Sequence, residues 1–163
     1  ISAILIGIFS FLYDATFTFV SQYFDWLGMF LFILLLILIN LKRLFKISNK
    51  NLSIISAITL VIYLPASLIS GDGTLFFAGG VVLLLISEIY IWFKQRNNLS
   101  LWLVAFALFA LGAYLRGLDY NLLNCDPTNI LNGRGLLHYF SSISVLLLHI
   151  YYKPLYNQTA SKK

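Results

Sequence analysis

Cysteine is almost missing from this chain: the 163 residues hold one, Cys125. That excludes an intrachain disulfide framework and a cysteine zinc cluster. Charge is scarce too, at 10% of residues with only six acids, where a soluble domain carries about a quarter. The first twenty-odd residues have no basic leader and no small-residue cleavage site, so they do not read as a signal peptide. The chain opens on Ile1 inside an apolar run, which reads as a truncated or processed start.

What is present is apolar. Hydrophobic residues make up 60% of the chain and the mean hydropathy is +0.88. Runs near the roughly 20 residues needed to cross a bilayer recur along its length. The reading is an all-α integral membrane bundle of six transmembrane helices: one domain over residues 1–152 and a polar tail over 153–163. The spans are expected at residues 1–19, 26–41, 52–69, 75–93, 99–117 and 134–152, with Pro65 kinking the third. The spans leave no room for a soluble domain.

Charge orients the chain. Nine of the eleven Lys and Arg fall in loops and tail that a six-span chain places on one side: Lys42, Arg43, Lys46, Lys50, Lys94, Arg96, Lys153, Lys162 and Lys163. The opposite side has Arg116 and Arg134, with Asp72, Asp119 and Asp126. The positive-inside rule puts the basic loops and C-terminal tail in the cytoplasm or its equivalent. The net charge of +5 is then a matter of topology, and nucleic acid is not an expected partner. Trp26 falls at the outer boundary and Trp92 and Trp102 at the inner one, as in an aromatic belt. Sequons beginning at Asn51, Asn98 and Asn157 map to the inner side, so none is expected to carry glycan.

With that topology, five polar groups from three helices share a layer near the outer surface: Ser10 and Asp14, Asp25, and Arg134 and His138. Ser10/Asp14 and Arg134/His138 are each four residues apart, hence on one helix face. Each has an ordinary role available. A helix serine bonds its own turn, Asp25 at a helix start serves the dipole, Arg134 snorkels, and a lone histidine is usually hydrogen-bonded. Asp14 is the exception. An uncompensated carboxylate in hydrocarbon costs roughly 2.5–3.5 kcal/mol on insertion scales, so an Asp14–Arg134 ion pair is expected. His149 reads as structural or interfacial, and Glu88 as facing the bundle or snorkelling without an assigned role.

At these residues the chain resembles a family. Ser-Phe-Leu-Tyr-Asp-Ala-Thr at 10–16, then Asp25, Cys-Asp-Pro at 125–127, and Asn-Gly-Arg-Gly-Leu-Leu-His at 132–138 are similar to the alkaline ceramidases. These belong to a wider membrane hydrolase superfamily that includes the progestin/adiponectin receptors. The resemblance covers almost the whole chain, less the family's first helix. It implies a seven-helix fold with zinc near one membrane face, held by three histidines, with a serine and an aspartate close to the metal-bound water. The implied reaction is hydrolysis of the ceramide amide, with Ser10 and Asp25 as the catalytic pair if the site is active.

The departures are decisive for this reading. Asp14 stands at the first histidine position and Arg134 at the second, so only His138 remains. A catalytic zinc needs three protein ligands and an open position, and a guanidinium has no lone pair to give. The expectation is a non-catalytic ceramidase-like protein in which the Asp14–Arg134 pair replaces the metal. Its role would be structural, as an accessory subunit of a larger membrane assembly, or lipid-binding. The alternative is an active hydrolase of a ceramide-like lipid, with zinc on His138, Asp14 and Asp25. A proton or ion pathway is disfavoured, because no polar track crosses to the basic side.

Overall fold

The computed structural model describes the backbone of residues 2–71, 73–95, 98–121 and 133–160, with side chains over 4–71, 73–95, 98–118, 133 and 135–154. Among them every element is a helix: α1 (Ser2–Thr16), α2 (Phe19–Phe45), α3 (Asn49–Ser70), α4 (Thr74–Gln95), α5 (Ser100–Asn121) and α6 (Gly133–Ala160). Five of the six, α2 to α6, are long and apolar enough to cross a membrane. In hydrocarbon a backbone must satisfy its own N–H and C=O groups, and a helix does so within one segment. The protein is an all-α, multi-pass membrane protein. α1, with 15 residues, rises about 22 Å against a hydrocarbon core of about 30 Å.

The helix ends differ from those expected. A break was expected around residues 20–25, where Ser21, Gln22 and Asp25 interrupt the apolar run. Instead α1 stops at Thr16 and α2 starts at Phe19. Phe17 takes a left-handed conformation, φ 49°, and its N–H reaches the Tyr13 carbonyl at 2.8 Å. Thr18 then caps α2. Its hydroxyl accepts the Ser21 N–H at 3.2 Å, and the Ser21 hydroxyl accepts the Thr18 N–H at 3.2 Å. This reciprocal box satisfies two of the orphan donors of the first turn. At its other end α2 runs on to Phe45, where Lys46 adopts φ 51° and closes it on the Lys42 carbonyl at 3.0 Å. Lys42 and Arg43 are therefore helical, not loop residues. α6 also outruns its expected end, passing through Pro154 to Ala160, so that residues 153–160 of the polar tail are helical.

The helices group into two compact units, residues 1–96 and 97–163. In the first, α2 is the hub and touches α1, α3 and α4. Its contact with α4 has a regular step. A Cβ placed on Gly73 would come within 2.7 Å of Trp26, and one on Gly80 within 2.7 Å of the Ile33 Cγ2. Asn40 Nδ2 donates to Ser87 Oγ at 2.9 Å. Residues 26, 33 and 40 of α2 thus meet 73, 80 and 87 at α4, seven by seven, so the two helices run parallel. A seven-residue repeat is the register of left-handed helix pairing, and small residues let the backbones close up. α3 joins through Tyr63, whose ring stacks on Phe30 with centroids 3.8 Å apart and meets Phe76 edge-on.

The second unit is the hairpin of α5 and α6. The buried Ser144 hydroxyl donates to the Ala105 carbonyl at 2.7 Å. A Cβ on Gly112 would lie 3.2 Å from both the Leu137 Cα and the Phe140 Cβ. Seven residues along α5 again match seven along α6, this time in opposite directions.

Candidate functional site

Two polar sites occupy the first unit, one toward each end of α2. The first is the one expected from the sequence. α1 and α2 are antiparallel across the two-residue turn. Ser10 lies six residues before the last residue of α1, and Asp25 six residues after the first of α2. The hairpin therefore brings them level, and the Ser10 hydroxyl donates to the Asp25 carboxylate. Asp25 sits in the second turn of α2, not at its mouth, because the capping box starts the helix early. Gly28, one turn on, lets α1 approach: a Cβ there would lie 3.1 Å from the Phe9 ring and 3.4 Å from the Ile6 Cα. The Thr16 hydroxyl donates to Ser21 Oγ at 2.8 Å and extends the polar seam to the turn. Asp14 is half-buried on α1, one turn beyond Ser10.

The remaining expected residues are on α6, in the second unit. His138 is half-buried in the second turn, and its carbonyl accepts the Ser142 hydroxyl at 2.7 Å. Arg134 is helical, but its side chain lies outside the described residues, as do Cys125, Asp126 and Asn132. Among the described residues no three of His, Cys, Asp and Glu gather as a metal site. Among the described residues of the first unit the candidate ligands at this end are Asp14 and Asp25, and Asp25 accepts from Ser10. Two carboxylates without an imidazole are not the nitrogen- and sulfur-rich set that zinc selects. By themselves these two described carboxylates do not make up a zinc set.

The second site was not anticipated. Arg43, placed by the sequence reading in a basic loop, is buried between α2 and α4, as is Glu88, which had no assigned role. Their side chains are 4% and 0% exposed and form an ion pair at 3.4 Å. The same Arg43 Nη1 donates to Asn40 Oδ1 at 3.3 Å, and Nη2 donates to Gln95 Oε1 at 3.4 Å. Asn40, itself fully buried, passes the network to Ser87, whose hydroxyl donates to the Leu84 carbonyl at 2.9 Å. All of these residues sit within the last four turns of α2 or α4.

The reason for this arrangement is register. Once Trp26 meets Gly73 and Ile33 meets Gly80, the next step of seven on each helix is polar, Asn40 and Ser87. Arg43 lies three residues after Asn40 and hence on the same face. The sequence signal was Glu88 itself: an acid within an apolar span demands a partner. Arg43 was passed over because the apolar run ends at Leu41, and a charge just after such a run reads as loop. The network joins the Arg43 cation to the Glu88 anion, with one donor nitrogen shared between Asn40 and Glu88. Such a cluster specifies which helices pair and in which register, and its removal in part is costly.

No family model, no curated protein and no solved structure matches this chain.

Proposed function

We propose that this is a non-catalytic, ceramidase-like multi-pass membrane protein, serving as a structural or accessory subunit or as a lipid-binding component. The observation that carries the reading is the hydrogen bond from Ser10 to Asp25. The serine and aspartate that the resemblance would set beside a metal-bound water are engaged with each other, clamping α1 to α2. Arg134 stands where a second ligand is needed, and its guanidinium does not coordinate. In this reading Asp14 and Arg134 replace the metal by a direct ion pair, and the basic ends of α2 and α4 face the cytoplasm.

The test is metal analysis and lipid turnover on the purified chain. We expect no stoichiometric zinc, and ceramide left intact with zinc added. One zinc per chain that disappears in His138→Ala, together with ceramide cleavage, overturns the reading in favour of a hydrolase. Replacing Arg134 by Leu should destabilise the protein, and adding Asp14→Leu should restore most of the loss. A double variant as unstable as the single one removes the ion pair from the account. Sidedness is checked at Cys125, the lone thiol. In intact cells an impermeant maleimide should reach it from outside.

A further inference from the structure

We propose that the basic end of the first unit binds the phosphate of an anionic phospholipid headgroup, with Lys46 and Lys94 as its direct ligands and Lys50 beside them. This does not rest on the ceramidase reading. Three observations carry it. The first is convergence. Arg43, in the last turn of α2, reaches Gln95, the last residue of α4, at 3.4 Å, so the last turns of α2 and α4 lie side by side. Lys46, which caps α2, and Lys94, in the last turn of α4, are both exposed there.

The second observation is the placement of the described acids. Glu88 is the only described carboxylate at this end of the unit, and it is fully buried and paired with Arg43. Asp14 and Asp25, the other described acids of the unit, stand at the opposite end of α2. The buried pair thus pins two helix ends together, and among the described residues of the unit no second acid stands at the end that carries Lys46, Lys50 and Lys94. The third is Lys50. It is the second residue of α3 and exposed, at the positive end of a helix dipole where a cation is disfavoured. Topology accounts for lysines on this side of the membrane. It does not account for exposed lysines on both of two helix ends that a buried pair holds together, nor for a lysine in the first turn of α3. An anion at the headgroup level offsets both. A basic cluster at the end of a membrane span is the chemistry that holds anionic lipid, each lysine adding about fivefold to the affinity.

The experiment is native mass spectrometry of the full chain in detergent, with phosphatidylglycerol and phosphatidylcholine of identical acyl chains titrated separately. We expect at least a tenfold preference for the anionic lipid, lost in Lys46→Gln/Lys94→Gln and kept in Lys46→Arg/Lys94→Arg. Equal retention of the two lipids overturns the proposal, as does an undiminished preference in the glutamine variant. Inorganic phosphate that binds this end, with the two lipids retained alike, assigns the site to a free anion and overturns the lipid. Should the glutamine variant not fold, Lys50→Gln alone is expected to cut the preference about fivefold, and no change in that variant counts against the site.

Discussion

α2 carries a polar site toward each end, and the leading contacts of the two differ in almost every respect. Toward its start, Asp25 takes the hydroxyl of Ser10 across a two-residue turn, 15 residues back, in a half-exposed seam. Toward its end, Arg43 meets Glu88, 45 positions on, with both side chains sealed from the surface. The first contact is a local hairpin clamp, formed whenever α1 folds back on α2. The second exists only if α3 is in place and α4 returns parallel to α2. Losing the first should loosen one short helix. Losing half of the second should strand a charge inside the bundle.

The largest effect is expected at the buried end. Arg43→Met or Glu88→Leu alone should cost roughly 3–5 kcal/mol, because the surviving partner stays buried without compensation. The double variant Arg43→Met/Glu88→Leu should recover most of this, since no charge is left unpaired. Reversible unfolding in mixed micelles measures both. A double variant no better than either single one would show that the pair acts through something other than its charge.

A smaller loss is expected where α2 and α4 touch most closely. Gly80→Ala puts a Cβ 2.7 Å from Ile33 Cγ2, so the isoleucine must shift. Overpacking of this kind costs about 1–3 kcal/mol. Gly79→Ala, where nothing lies within 4 Å, is the control and should be neutral or slightly stabilising. If the two substitutions are equivalent, the register described for α2 and α4 is wrong.

Ser10→Ala should be milder still, about 1–2 kcal/mol, since it removes one hydrogen bond to a carboxylate in a half-exposed seam. Hydrogen exchange should show the change confined to α1 and the first turns of α2. Spread of the effect into α4 would erase the contrast between the two ends. The smallest effect is expected for Asn40→Leu with Ser87→Ala, about 1 kcal/mol. Both partners leave together, and Arg43 keeps Glu88 and Gln95.

The site residues were legible in unequal measure. Ser10 and Asp25 were picked out by spacing, and the short turn made their meeting almost unavoidable. Even so, their setting was misjudged. Thr18 was read as the end of the first span and Ser21 as loop, yet they form the capping box that starts α2 seven residues early. Arg43 was misread for the converse reason. A charge following a complete span reads as loop, but a helix has no cause to stop until something breaks it, and nothing does before Lys46 turns left-handed. Glu88 was noticed and left without a partner, because nothing in its own neighbourhood names Arg43.

By itself the sequence determined that this chain is helical and spans a membrane several times. That follows from each residue's preference for hydrocarbon over water and from the need of a backbone in lipid to bond within its own segment. Both are properties of single stretches, so they can be read one stretch at a time. Only the tertiary structure decided that α2 is the hub, that α4 runs parallel to it in steps of seven, and that Arg43 is paired and buried. Hydropathy makes every face of these helices nearly alike, so it cannot choose among them. The choice falls to the few places where a glycine admits a neighbour or a polar group finds its complement, and those depend on two distant segments at once.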